Sequence, residues 1–140
     1  MKPLNRHATS PWVTISPSRG PRLARLFCLP YAGGGAITYN RWQSRILEGV
    51  EVVRVQLPGR ETRLREPLFT SMALLVDVLV DELIPWIDGP FMLYGHSMGA
   101  LLAFELARKL RRRYSRLPAH LFVSGYQAPQ LPPAELPFSH

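Results

Sequence analysis

Gly95-His96-Ser97-Met98-Gly99 is the sharpest chemical signal in the sequence. This G-x-S-x-G pentamer lies between a short apolar run, Phe91–Tyr94, and a helical pattern that opens at Met98. A serine on a tight strand-to-helix bend takes a strained backbone and lifts its hydroxyl above a sheet. Residues two before and two after it must lack side chains, or they would collide with the strand and the helix. Gly95 and Gly99 meet that need. The helix that follows aims its free N–H groups at the same point, which favours a developing negative charge. The chemistry this suits is nucleophilic acyl transfer, with Ser97 as catalytic nucleophile. The competing reading is a glycine-rich turn carrying an idle serine.

Acyl transfer also needs two backbone N–H donors for the tetrahedral oxyanion. One comes from the residue after the nucleophile, here Met98. The other comes from a loop on a neighbouring strand. Pro30-Tyr31-Ala32-Gly33-Gly34-Gly35 follows an apolar run, and its glycines let a backbone approach a substrate closely. Ala32 is the candidate second donor. A plain turn is the alternative. A phosphate cradle fits less well, because no Gly-Lys-Ser/Thr follows and Gly33, Gly35 and Thr38 miss the dinucleotide spacing.

A serine nucleophile further requires a base, usually a histidine oriented by a carboxylate. With this bend the acid and then the histidine follow the serine along the chain. After Ser97 stand only His120 and His140, and no aspartate. His120 opens an apolar run and is expected to point away from Ser97. Glu105 lies inside a helical pattern and Glu135 near the end. His96, beside the serine, is expected to point elsewhere. Asp77, Asp81 and Asp88 read as a solvated helix face. The nucleophile half of a triad is legible, and the acid–base half is not.

The elements that would position these groups alternate along the chain. Leu23–Leu29, Glu51–Leu57, Phe91–Tyr94 and Leu121–Ser124 read as strands, each closed by Pro, Gly or Ser. Between them, 36–47, about 71–84 and Met98–Leu110 carry helical spacing, the second capped by Thr70 or Ser71 with Leu74, Leu75, Val78, Leu79 and Leu83 turned inward. Ala100, Ala103 and Ala107 suit a helix lying close on a sheet. Trp12–Ile15, between Pro11 and Pro17, reads as a short edge strand. This alternation predicts an α/β fold, a mostly parallel sheet with helices on both faces. A strand order of second, first, third, fourth makes the first and third adjacent. Their following helices then lie on opposite faces and a crevice opens at their carboxyl ends, where Ala32 and Ser97 sit.

The 140 residues suit one domain, 23–140, preceded by an N-terminal segment, 1–22. An apolar fraction of 46% supports a real core and excludes a disordered tail. The single cysteine, Cys28, excludes a disulfide framework and a multi-cysteine zinc site, and no metal is expected. No apolar run reaches the length of a membrane span and no secretory leader opens the chain, so the cytoplasm is the expected compartment. The net charge of +7 rests on 15 arginines and two lysines, clustered at 60–65 and 108–113. A solvated helix end, nucleic acid or an acidic protein partner each account for it. The first is preferred over nucleic acid.

Three stretches together resemble the type II thioesterases, stand-alone α/β-hydrolases that accompany nonribosomal peptide and polyketide synthases. They are Leu29-Pro30-Tyr31-Ala32-Gly33-Gly34, then Gln56-Leu57-Pro58-Gly59-Arg60-Glu61 with Arg63 and Glu66-Pro67, then Gly95–Ala100. Phe122-Val123-Ser124-Gly125 with Ala128-Pro129 is also similar to the family. So are the medium-chain fatty acyl thioesterases. The resemblance covers about residues 10–135 and implies a partial α/β-hydrolase fold, without the lid, acid and histidine of the C-terminal half. It implies Ser97 as nucleophile, Met98 and Ala32 as oxyanion donors, and no bound cofactor. It also implies a substrate: an acyl or aminoacyl thioester on the phosphopantetheine arm of a carrier protein, hydrolysed to free a stalled carrier. Two alternatives remain. One is an inactive truncated fragment that at most binds a carrier protein. The other is a different serine α/β-hydrolase, an esterase or lipase, against which the Leu-Pro-Gly-Arg-Glu stretch argues.

Overall fold

Val, Leu and Phe on consecutive positions of a strand require cover on both sides, which a parallel sheet provides. The computed structural model describes residues 10–16, 20–30, 48–58 and 71–125. Among them are five strands: β1 (Val13–Ser16), β2 (Ala24–Leu29), β3 (Val50–Val55), β4 (Phe91–His96) and β5 (His120–Ser124). Two α-helices accompany them, α1 (Met72–Leu83) and α2 (Met98–Tyr114). The sheet order is β1-β3-β2-β4-β5. β2, β3, β4 and β5 pair in parallel, and β1 closes one edge antiparallel to β3. The order expected for the four longer strands is the one found, and the proline-flanked run 12–15 supplies the edge strand.

Alternate residues serve opposite faces. Phe27, Leu29, Val53, Val55, Phe91 and Leu93 join α1 and α2 in the main core. Leu26, Cys28 and Val52 form a second buried cluster on the other face, with Met92 and Tyr94 against it. Phe27 and Phe91 meet edge to face at 6.1 Å, a geometry worth ~1 kcal/mol beyond the area buried. Both described helices lie on one face. The helix read over 36–47, expected on the other, falls outside the described residues, as do the arginine cluster at 60–65 and His140. No helix among the described residues is long and apolar enough to cross a membrane.

The Ser71 hydroxyl accepts the Leu74 N–H at 3.3 Å and caps α1. The buried face of α1 differs in part from expectation. Leu75, Val76, Leu79, Val80 and Leu83 are buried, whereas Leu74 is 59% exposed. At about 100° per residue, Leu74 falls nearly opposite the centre of that stripe. α2 runs to Tyr114, four residues past the expected Leu110, and ends on Ser115 in the left-handed conformation. Its last turn is held by charge. Lys109 pairs with Asp77 at 2.7 Å and Arg113 with Asp81 at 2.9 Å, so these aspartates, solvent-exposed as expected, also meet α2. Asp88, also read as a solvated helix residue, lies beyond α1 and pairs with Arg22 at 2.7 Å.

At the amino ends of the strands, Arg25 is buried. It donates to Glu51 at 2.8 Å and to the Trp86 carbonyl at 2.7 Å, which ties β2 to β3 and to the turn before β4. Cys28 is fully buried, and desolvation pushes its thiol up to about 12.

Candidate active site

One residue separates the end of β4 from the start of α2, and that residue is Ser97. Turning the chain there forces φ 57° and ψ −119°. A side chain is strained at such a φ, at a cost of about 1–3 kcal/mol, and persists only where its surroundings hold it. The surroundings are specific. The Ser97 N–H donates to the Ser124 carbonyl at 2.9 Å, and the Ser97 carbonyl accepts the Ala100 N–H at 2.9 Å. Its hydroxyl makes no capping bond to α2.

Gly95 and Gly99 carry the packing that the bend demands. A Cβ on Gly95 would run into the main chain of Gly99 and Ala100. A Cβ on Gly99 would lie 2.7 Å from the carbonyl oxygens of Leu29 and Pro30. The start of α2 therefore rests directly on the end of β2. Register brings the same parts together, since Leu29 pairs with Gly95 and His96 with Ser124. Ser97 thus stands at the carboxyl ends of three adjacent parallel strands, the crevice that such sheets use for ligands. Met98 opens α2, and N–H groups in a first helical turn have no partner within the helix. Ala32 lies outside the described residues.

The two described histidines, His96 and His120, sit where they do not serve Ser97 as a base. His120 is exposed at the amino end of β5, opposite Met92, at the far end of the sheet from the bend. His96 turns its Nδ1 to the Ser124 hydroxyl at 3.0 Å. Glu105 pairs with Arg108 at 3.3 Å on α2. Among the described residues, the site holds a nucleophile candidate and one helix amide without an acid–histidine pair. Ser124 is the residue that spacing arguments missed. It is 27 positions from Ser97, and only strand pairing joins them.

Residues 24–136 match the family model described as the thioesterase domain. The chain belongs to this thioesterase family. The gramicidin S biosynthesis protein GrsT of Aneurinibacillus migulanus is 49% identical over 111 residues, 79% of this chain and 43% of that protein. Among solved structures, the RedJ thioesterase from the prodiginine pathway of Streptomyces coelicolor is similar at 46% identity and a TM-score of 0.76. That match covers 83% of this chain and 45% of RedJ. YbtT, a type II thioesterase of the yersiniabactin pathway, is similar at 34% identity and a TM-score of 0.75, over 86% of this chain and 49% of its own. The chain therefore spans somewhat under half the length of these thioesterases, and its sheet is part of an α/β-hydrolase fold.

Proposed function

We propose that this chain carries the nucleophile half of a thioesterase that hydrolyses acyl or aminoacyl thioesters on carrier-protein phosphopantetheine. The role is editing in nonribosomal peptide or polyketide biosynthesis. Ser97 Oγ attacks the thioester carbonyl carbon, the C–S bond breaks, and the thiol leaves with a proton. Water then cleaves the acyl-serine to a carboxylic acid. Met98 N–H and Ala32 N–H are the proposed donors to the oxyanion. The observation that carries this reading is the bend at Ser97, a strained serine set between β4 and α2 in a chain of this family. The names of RedJ and YbtT favour thioesters over simple esters or lipids. No cofactor is invoked; the carrier's prosthetic arm belongs to the substrate.

A basic patch near the site would suit an acidic carrier, but α2 places its arginines elsewhere. Arg111 and Arg112 lie about 20 Å from Met98 along the helix axis. Lys109 and Arg113 are engaged by α1. The site end of the chain, rather than this cluster, is therefore the proposed carrier contact.

The test is release of acetate from an acetylated carrier protein by the 140-residue chain and by Ser97→Ala. Release by the first alone supports the reading. Binding of the carrier without release by either supports the second reading, an inactive fragment.

A further inference from the structure

We propose that Ser124 is a positioning residue for Ser97, held in place by Tyr94 and His96. Its functional consequence rests on Ser97 being the nucleophile. β4 and β5 pair so that Tyr94 lies opposite Phe122 and His96 opposite Ser124. Tyr94 and His96 are two apart on one strand and project to the same face. Both reach the Ser124 hydroxyl, Tyr94 Oη at 2.9 Å and His96 Nδ1 at 3.0 Å. A hydroxyl carries one proton and two lone pairs, so it can donate to one neighbour while accepting from the other.

Gly125 completes the arrangement. It sits at φ 68°, and a Cβ there would overlap the His96 ring. Only glycine leaves the ring room to reach Ser124 while adopting that φ at no steric cost. The side chain of Ser124 is thus fixed from two sides. Its main-chain carbonyl is thereby kept on the Ser97 N–H, at 2.9 Å. That bond ends on the strained residue itself. A strained conformation lasts only while its neighbours over-determine it, and this contact supplies a constraint from a different strand. His96 therefore acts on Ser97 through β5 and does not face the reacting atoms.

Amide hydrogen exchange of the 140-residue chain tests this, with the Ser97 N–H as reporter and the Phe27 and Val53 amides as controls. Ser124→Ala is expected to speed exchange at Ser97 about tenfold and leave the controls unchanged, the loss of roughly one hydrogen bond's constraint. Ser124→Thr, which keeps the hydroxyl, is expected to stay within about twofold of the parent chain. Unchanged exchange in Ser124→Ala overturns the proposal. So does failure of Ser124→Thr to restore protection. Should Ser124→Ala not fold, Tyr94→Phe decides: acceleration confined to Ser97 supports the proposal, and no change overturns it. Acyl-carrier hydrolysis is read in the same samples. Absent turnover with the expected exchange pattern counts against the proposed function alone.

Discussion

Gly95 lies so close to Gly99 that a Cβ on the first would overlap the carbonyl group of the second. The carbonyl belongs to the first turn of α2, so no side-chain rearrangement relieves the overlap. Gly95→Ala is expected to destabilise the fold by about 3 kcal/mol or more, because main chain must move. Urea unfolding measures it. A loss below ~1 kcal/mol would show that the two segments are not in contact.

Ser97 is strained where glycine would not be. Its φ and ψ match the first central position of a type II′ turn, which glycine prefers. Ser97→Gly removes about 1–3 kcal/mol of strain and adds about 0.5–1 kcal/mol of unfolded-state entropy. The expected balance is a gain near 1 kcal/mol, or a Tm higher by about 4 °C. Any acyl-transfer activity should disappear in the same variant. A lower Tm by calorimetry would contradict the strain argument.

The contact between the helices responds to acid. The Tyr114 hydroxyl, at 2.7 Å, and Arg113 hold the Asp81 carboxyl below its ordinary 3.8. A carboxylate lowered in the folded state contributes stability above its unfolded value, and that contribution is lost as pH falls through the folded one. The pair is exposed, so the effect is modest and weakens with salt. The parent chain should melt above Asp81→Asn at pH 7, with the gap narrowing as pH falls below the ordinary 3.8. A gap that keeps its size as pH falls would show that charge on Asp81 is not the cause.

β5 leaves apolar side chains outside. Phe122 is 46% and Val123 41% exposed, and only one side of the strand pairs among the described residues. Exposed edges of this kind pair with other chains. The 140-residue chain is expected to self-associate at micromolar concentration, and Phe122→Lys to reduce this several-fold. Sedimentation velocity decides; a monomeric parent chain would contradict the expectation.

The strands were legible because Leu23–Leu29 and Phe91–Tyr94 are apolar runs and Glu51–Leu57 is rich in valine, each closed by turn residues. The adjacency of β2 and β4 rested on a supposed strand order, and the glycine logic at Ser97 on steric size alone. What escaped was long-range. Arg111–Tyr114 contain no apolar periodicity, so the basic cluster suggested a helix end without fixing where it falls, and the last turn is tied to Asp77 and Asp81 on another helix. Leu74 was misplaced because hydrophobicity alone does not say which side of a helix meets a sheet. Ser124 carries no local signal, since its meaning comes from Tyr94 and His96 across a strand pair.

The concealment of Cys28 has a practical side. A thiol raised to about 12 stays protonated at neutral pH and is sealed beneath two strands' worth of side chains. It is the chain's single sulfhydryl, and thiolate is the form that exchanges with disulfides. The hydrolysis proposed above would liberate a pantetheine thiol, and it is therefore expected to proceed without mixed disulfides accumulating at Cys28. A disulfide dye can then count any thiol released in that assay with no background from Cys28.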